Sequence, residues 1–193
     1  PPVVLGFGTV SGQTNPLSNE FIYGASFSDP YSGETTGTTY QIRRYTNVGL
    51  TGTVVKTTLT NSLLTSQPTA FSVSKYTSGS TTLLVGTRTG KLYKLSNANT
   101  TPTWTDISSS AFVGTISDIE YGASENEIFV TMHNYNVVSI WYSSNGGTTW
   151  VSKEGNLPDL PVKCILRNPL NANEVIVGTE LGVWYTCLLY TSD

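Results

Sequence analysis

The chain has 193 residues, with 10 basic and 13 acidic side chains and a net charge of −3. This balance provides no basic surface for nucleic acid or anionic membranes, and no apolar run approaches the ~18 residues that a membrane-spanning helix needs. Residue types that favour strands and turns outnumber those that favour helices. The composition therefore predicts an all-β protein with no nucleic-acid partner and no membrane insertion.

The first part of the chain, residues 1–62, contains three segments that alternate like strands, namely FIYGASF, TTYQIRRYT and GTVVKTTLT. Between the first two, SDPYSGETTG is rich in turn-forming residues and predicts a long turn. The early LGFGTVSG imitates a dinucleotide-binding loop, but no helix follows it. We therefore predict no cofactor and interpret this region as a divergent copy of the unit that follows.

A unit of about 46 residues repeats from residue 69 onward. Gly86 and Gly178 lie 92 residues apart in the similar segments VGTRTGKLY and VGTELGVWY, and Trp104 and Trp150 lie 46 residues apart. An apolar column has the same step of 46: Val73, Ile119 and Ile165. Four short strands in such a unit are typical of a propeller blade, so the sequence predicts a partial, open β-propeller of four-stranded antiparallel blades.

The repeat assigns the whole chain, 1–193, to one incomplete propeller domain. Its predicted parts are a divergent blade at 1–62, a blade at 69–109, a blade at 114–156, a half blade at 161–186 and a tail at 187–193. The tail, CLLYTSD, resembles translated adapter sequence at the ends of metagenomic reading frames, so we expect Cys187 not to be native, which removes the question of a disulfide with Cys164. The alternative is a genuine strand that continues from Trp184-Tyr185. Missing blades of a parent protein are an expected partner.

The segment SSNGGTTW matches the turn motif S-x-D-x-G-x-T-W and begins at Ser143. Asn145 replaces the usual Asp, and its short polar side chain can bond to amides of the turn. Gly147 permits a positive φ. Thr149 supports the turn, and Trp150 is expected to insert as a large apolar group between blade layers. The role predicted for this motif is structural.

Because of this motif and the run from Gly155 to Thr186, residues 69–186 resemble the Asp-box, or BNR-repeat, propellers. This sialidase-like superfamily includes sialidases, sortilin-type ectodomains, xyloglucanases with paired propellers and many secreted bacterial proteins. The resemblance implies a bacterial protein that is extracellular or at the cell surface. It also implies that the Asp box lies away from the usual ligand face.

Two enzyme classes of this superfamily have sites with which the sequence can be compared. Sialidases carry an F/Y-R-I-P segment, which this chain lacks. Xyloglucanase-like sites use two acids that face each other across a cleft. Asp118 is the weak candidate for such an acid, because the other copies have Ser72 and Cys164 at its position. No partner acid is evident in the sequence. The alternative is that Asp118 is a solvated side chain in a water-filled channel.

In a propeller, the loops between second and third strands and between blades gather at one face around the channel. The candidate ligand-binding residues on these loops are Arg88, His133, Asn134, Tyr135, Asn136 and Glu180. Because His133 is the only histidine, we predict no catalytic triad and no metal site. Hydrophilic turns without a ligand are the alternative.

We therefore expect a non-catalytic, secreted or cell-surface module that binds a protein or a glycan on the channel face. The alternative is a fragment of a xyloglucanase-like glycoside hydrolase that acts on polysaccharide. The aromatic pairs Trp141-Tyr142 and Trp184-Tyr185 are either sugar platforms or packing groups between blades.

Overall fold

The computed structural model describes residues 3–4, 31–36, 39–46, 53–171 and 173–186. Every regular element in these ranges is a β-strand, so the all-β prediction is confirmed. None of the described segments forms a helix that is long and apolar enough to cross a bilayer. The predicted strand FIYGASF, the LGFGTVSG loop and the tail with Cys187 lie outside the described residues.

The strands form four antiparallel sheets, and neighbours in each sheet are consecutive in the chain. The first sheet contains β1 (Val3–Val4), β2 (Tyr31–Thr36), β3 (Thr39–Thr46) and β4 (Val55–Leu59). The second contains β5 (Pro68–Val73), β6 (Leu83–Thr87), β7 (Leu92–Ser96) and β8 (Thr103–Asp106). The third contains β9 (Ile116–Tyr121), β10 (Ile128–Met132), β11 (Ile140–Ser143) and β12 (Val151–Ser152). The fourth contains β13 (Val162–Arg167), β14 (Val175–Thr179) and β15 (Gly182–Thr186).

The β2 strand corrects the prediction of a long turn at SDPYSGETTG. Residues Tyr31 to Thr36 pair with β3 through a tight hairpin, in which Thr36 lies opposite Thr39. The side chain of Tyr31 is fully buried. The turn-forming composition misled the prediction because cross-strand pairing and one buried aromatic ring stabilise this strand.

The chain divides into two compact units, one comprising residues 1–85 and 93–106 and the other residues 86–92 and 107–193. The first unit has a continuous apolar core. Its buried members are Tyr31, Ile42, Leu59, Leu64, Phe71, Leu83, Val85, Tyr93, Leu95 and Ala98. The Tyr93 ring meets Trp104 edge-on with centroids 6.0 Å apart, and the Arg44 guanidinium donates to the Ala98 carbonyl at 2.8 Å.

The second unit has its own core, in which the third and fourth sheets pack face to face. Its buried members are Phe129, Ile140, Tyr142, Val162, Ile165, Val175 and Val177. The apolar runs of β10 and β14 supply both sides of this core, as their sequences IFVTM and VIVGT predict.

The four antiparallel sheets confirm the predicted fold class, a partial β-propeller built from blades of about 46 residues. The segment predicted as a half blade, 161–186, forms three strands, β13 to β15. A backbone irregularity between Val162 and Cys164 shifts the pairing of β13 with β14. A similar shift follows Thr131 in the third sheet, so the two sheets share this detail.

Candidate functional site

Three loops of the second unit meet at Thr115, just before β9. The Thr115 amide donates to Asn134 Oδ1 at 2.7 Å, and its hydroxyl donates to the Arg88 carbonyl at 3.2 Å. The Thr115 carbonyl accepts the amide of His133 at 2.9 Å. Gly114 is required here, because its φ is 94° and a Cβ would overlap the Asn134 side chain. The structure thus brings together three of the predicted ligand-binding residues.

Two more of these residues form an exposed polar cluster. The Tyr135 hydroxyl donates to Glu180 Oε2 at 2.8 Å, and Lys163 Nζ lies 3.6 Å from Glu180 Oε1. The hydrogen bond from Tyr135 is the main cause that lowers the pKa of Glu180; desolvation opposes it, and the charge of Lys163 adds to it. The same bond raises the pKa of Tyr135. The result is an ionised carboxylate that holds an exposed aromatic ring in place.

The last predicted residue, Asn136, shapes the loop that carries Tyr135. Its φ is 58°, a left-handed conformation that asparagine tolerates better than most residues. Its amide donates to Asp159 Oδ1 at 2.7 Å. Asp159 lies on the connection between β12 and β13, so this bond fastens the loop to the next sheet. We call the exposed surface formed by Arg88, residues 133–136, Asp159, Lys163 and Glu180 the loop face.

Lys163 and Asp159 are members of the loop face that the sequence prediction missed. Asp159 lies on a connection between blades, which is one of the two kinds of loop predicted to gather at this face. Lys163 follows Val162 at the start of β13, where the pairing register shifts. Strict alternation does not predict its side, because an irregularity changes which way the following side chains point.

Asp118 lies on β9 with both carboxylate oxygens in hydrogen bonds to backbone amides. Its Oδ2 accepts from Ile165 of β13 at 2.8 Å, and its Oδ1 accepts from Ile119 at 2.9 Å. Ser117 beside it donates to the Val162 carbonyl at 2.5 Å. Asp118 is half-buried, so it is not the freely solvated side chain of the alternative interpretation. These two side chains fasten the first strand of the third sheet to that of the fourth.

Burial raises the pKa of Asp118 above its ordinary 3.8, although its two backbone hydrogen bonds act in the opposite direction. The unfolded chain therefore releases this proton at lower pH than the folded chain does. The contribution of Asp118 to stability is complete below 3.8 and is lost as pH rises through the raised pKa. We expect the unfolding free energy of the parent, relative to Asp118→Asn, to fall in urea titrations as pH rises above 3.8. A difference that rises with pH would contradict this assignment.

The segment from Ser143 to Trp150 forms a hydrogen-bonded turn. The buried Ser143 hydroxyl donates to Asn145 Oδ1 at 3.0 Å and accepts the Gly147 amide at 2.9 Å. Asn145 Oδ1 also accepts the Thr149 amide at 2.9 Å, and its Nδ2 donates to the Thr149 hydroxyl at 2.8 Å. Gly147 has a φ of 91°. Trp150 is half-buried and donates to the Gly147 carbonyl at 3.1 Å.

Trp150 also connects this turn to the segment that follows β8. Its indole donates to the Ile107 carbonyl at 2.9 Å, and its ring meets Phe112 edge-on at 5.0 Å. A Cβ on Gly147 would lie 2.8 Å from the Ile107 Cβ. The turn therefore packs against residues of its own unit.

Replacing Ser143 by Ala is expected to lower the unfolding free energy by about 1–3 kcal/mol, because the buried Gly147 amide loses its acceptor. Asn145→Asp is the matched variant. It keeps an oxygen acceptor for the Ser143 hydroxyl and the Thr149 amide, so its stability should stay within about 1 kcal/mol of the parent. Urea unfolding midpoints measure both effects. Equal losses in the two variants would show that the side-chain bonds do not hold the turn.

The two aromatic pairs differ in exposure. Trp141 and Tyr142 are buried, and the Tyr142 ring lies 4.9 Å from that of Phe129. Trp184 and Tyr185 are exposed at the edge of the fourth sheet. The first pair therefore packs between sheets, and only the second can contact another molecule.

The rest of the described residues contain few features of a catalytic or metal-binding site. No group of three or more His, Cys, Asp or Glu side chains in those ranges is placed to hold a metal ion. An open groove of about 550 Å³ lies in the first unit. It is lined by Thr39, Tyr40, Thr60, Asn61, Ser62, Leu64 and Thr65, none of which is an acid or a base at neutral pH.

No family model and no curated protein matches the chain. Its fold is that of a β-propeller, as similarity to solved structures shows. The GH74 enzyme of Niastella koreensis matches with a TM-score of 0.63 and 16% identity over 84% of this chain and 27% of that chain. The GH74 xyloglucanase from Xanthomonas campestris matches with a TM-score of 0.59 and 16% identity over 82% and 26%. The chain thus spans about a quarter of each.

Proposed function

We propose that this chain belongs to a non-catalytic, secreted or cell-surface propeller of the Asp-box type that binds a polysaccharide through the loop face. The observation that carries the proposal is the exposed ring of Tyr135, 51% accessible and held by an ionised Glu180 beside Lys163. Protein ligands are the other class that such a module binds, and they serve as a comparison in the test.

The Asp-box assignment is supported by the turn from Ser143 to Trp150. Asn145 occupies the position of the motif's Asp and bonds to two later groups of the turn, the amide and the hydroxyl of Thr149. Ser143 is buried and bonds to Asn145, as a structural motif requires. These contacts support a structural role for the turn, and we place the ligand on the loop face.

The chemistry of the loop face suits a carbohydrate. An exposed aromatic ring offers an apolar surface for the C–H face of a sugar, and nearby charged groups can bond to its hydroxyls. Tyr135 supplies the ring, and Glu180, Lys163 and Asp159 supply acceptors and donors around it. The similar GH74 structures include a xyloglucanase, which makes a neutral polysaccharide the first ligand to test.

The acids of the loop face are poorly suited to glycoside hydrolysis. That reaction needs a carboxylic acid with a raised pKa and a second carboxylate at a defined separation. The pKa of Glu180 is lowered, so it stays ionised and cannot donate a proton near neutral pH. Asp159 accepts the Asn136 amide and holds the loop. Binding without cleavage is the function that this arrangement supports best.

A fragment of a GH74-like hydrolase is the second candidate, favoured by the raised pKa of Asp118. A raised pKa is what a general acid requires. Both oxygens of Asp118 are, however, committed to the amides of Ile119 and Ile165. If this candidate holds, the chain releases reducing ends from xyloglucan and Asp118→Asn abolishes the release.

The proposal is tested by measuring the affinity of the purified chain for xyloglucan, mixed-linkage β-glucan and a control protein. Tyr135→Ala should weaken polysaccharide binding at least about tenfold, the equivalent of about 1.4 kcal/mol. Tyr135→Phe keeps the ring but loses its bond to Glu180, so its loss should be smaller.

Tyr76→Ala is the matched control, because Tyr76 is also an exposed tyrosine but lies in the first unit. It should bind like the parent. No polysaccharide binding by the parent, or equal losses in Tyr135→Ala and Tyr76→Ala, would refute the assignment to the loop face.

A further inference from the structure

The turn from Ser143 to Trp150 contains the one Asn-Gly pair of the sequence, Asn145-Gly146. In such a pair the backbone nitrogen of the glycine can attack Cγ of the asparagine side chain, because glycine has no Cβ to hinder the approach. The new N–C bond closes a cyclic succinimide, while the C–N bond of the carboxamide breaks and ammonia leaves. Water then opens the ring at either of its two carbonyls, which gives aspartate or isoaspartate. Water is the only co-reactant.

The folded turn ties both reacting groups to other partners. The Gly146 amide donates to the Asn126 carbonyl at 2.8 Å. In the Asn145 carboxamide, Oδ1 accepts the Ser143 hydroxyl at 3.0 Å and the Thr149 amide at 2.9 Å, and Nδ2 donates to the Thr149 hydroxyl at 2.8 Å. Ring closure removes the proton from the Gly146 nitrogen and turns the carboxamide toward it. These bonds must therefore break first, and the turn must open.

The geometry of the turn, and not exclusion of water, is what protects this pair. Asn145 is exposed and Gly146 is half-buried, so water reaches the carboxamide in the folded chain. The backbone is left-handed at Gly146 and Gly147, with φ angles of 68° and 91°. Packing fixes this conformation, because a Cβ on Gly147 would lie only 2.8 Å from the Ile107 Cβ. The reaction is thus slow for as long as the turn stays closed.

The two products differ in whether they fit the turn. Aspartate at residue 145 keeps one oxygen for the Ser143 hydroxyl and the Thr149 amide, and its second oxygen accepts the Thr149 hydroxyl in place of the lost Nδ2 donor. In isoaspartate the main chain runs through the former side-chain carbon, so the path from Ser143 to Gly147 is longer by one carbon. The Gly147 amide, 2.9 Å from Ser143 Oγ in the parent, then leaves the geometry of that bond.

We propose that Asn145 is a deamidation site whose reaction is controlled by opening of this turn, and that the aspartate product refolds into the turn whereas the isoaspartate product does not. The folded chain keeps its amide, and the unfolded chain loses it. The aspartate product carries one more negative charge and has the residue that the motif S-x-D-x-G-x-T-W has at this position.

The proposal is tested by incubating the 193-residue chain in mildly alkaline buffer, with and without guanidinium chloride. Peptide mass spectrometry measures aspartate and isoaspartate at residue 145 over time. Conversion should be at least about tenfold slower in the folded chain than in the unfolded chain, because only the open turn reacts.

Two variants open the turn by different bonds, and circular dichroism verifies that each is folded. Ser143→Ala should speed conversion of the folded chain at least about fivefold and leave the rate in denaturant unchanged. Thr149→Val removes the acceptor of Asn145 Nδ2 at an exposed residue and keeps the Gly147 bond, so it should also speed conversion in the folded chain alone. Ser144→Ala is the matched control and should convert at the parent's rate, because Ser144 is exposed and makes no side-chain hydrogen bond with the described residues.

The two products are then separated by chromatography and returned to buffer without denaturant. The aspartate form should unfold at the urea midpoint of Asn145→Asp, and the isoaspartate form at a lower one. The proposal is overturned if the folded and unfolded parent convert at the same rate, if neither Ser143→Ala nor Thr149→Val converts faster than Ser144→Ala, or if the isoaspartate form is as stable as the aspartate form.

Discussion

Replacing Phe129 by Ala is expected to lower the unfolding free energy of the second unit by about 3–5 kcal/mol. The ring is 1% accessible, lies 4.9 Å from that of Tyr142 and belongs to the core between the third and fourth sheets. Truncation removes the transfer energy of the ring and leaves a cavity that the flanking sheets cannot close. Urea unfolding followed by tryptophan fluorescence measures the loss.

Ile176→Ala is the control for this variant, because Ile176 occupies in the fourth sheet the register position that Phe129 occupies in the third, but on an exposed side. Its expected loss is below about 1 kcal/mol, since the side chain is 40% accessible. The two residues share a position in the repeat, but only Phe129 is covered by a neighbouring sheet. A larger loss of unfolding free energy for Phe129→Ala therefore measures the effect of that burial. Similar losses would mean that the two positions are packed alike.

Gly86→Val is expected to destabilise the second unit by about 1–3 kcal/mol, through overpacking. A Cβ at residue 86 would overlap Ile116 Cγ2 and lie 2.9 Å from Ile116 Cβ and 3.3 Å from Ile119 Cδ1. Ile116 is a fully buried, β-branched residue on β9, so it cannot move aside without shifting the strand. Calorimetric melting temperatures report the effect.

Gly178→Val is the matched substitution, 92 residues downstream. A Cβ there would lie 2.7 Å from Cys164 Sγ and meet nothing else within 4 Å. Because Cys164 is exposed, its side chain can rotate away, and the expected loss is below about 1 kcal/mol. A loss at Gly178 as large as that at Gly86 would show that the glycine is required for the strand itself and not for the junction.

Much of the fold could be predicted from the sequence, because the repeat is marked by glycine, tryptophan and apolar residues that recur at fixed positions of each sheet. Gly86 recurs as Gly178 and Trp104 as Trp150, and the apolar first strands recur at the same step. The β2 strand could not be predicted. Its residues favour turns, and it forms because Tyr31 finds a buried place in a core assembled from distant segments.

The candidate site was predictable in position more than in detail. Loops that meet at one face of a propeller indicated Tyr135 and Glu180, and the structure shows the bond between them. Lys163 was missed because an irregularity at the start of β13 decides where it points. The partner of Asp118 is a backbone amide of the next sheet, which no residue type reveals.

We propose that the loop face binds a polysaccharide and does not cleave it. The most direct measurement incubates the chain with xyloglucan and quantifies bound polymer and new reducing ends in the same sample. We expect bound polymer whose affinity Tyr135→Ala weakens at least about tenfold, with no reducing ends above the level of a protein-free control. Reducing ends that accumulate with the parent chain and disappear with Asp118→Asn would contradict the claim.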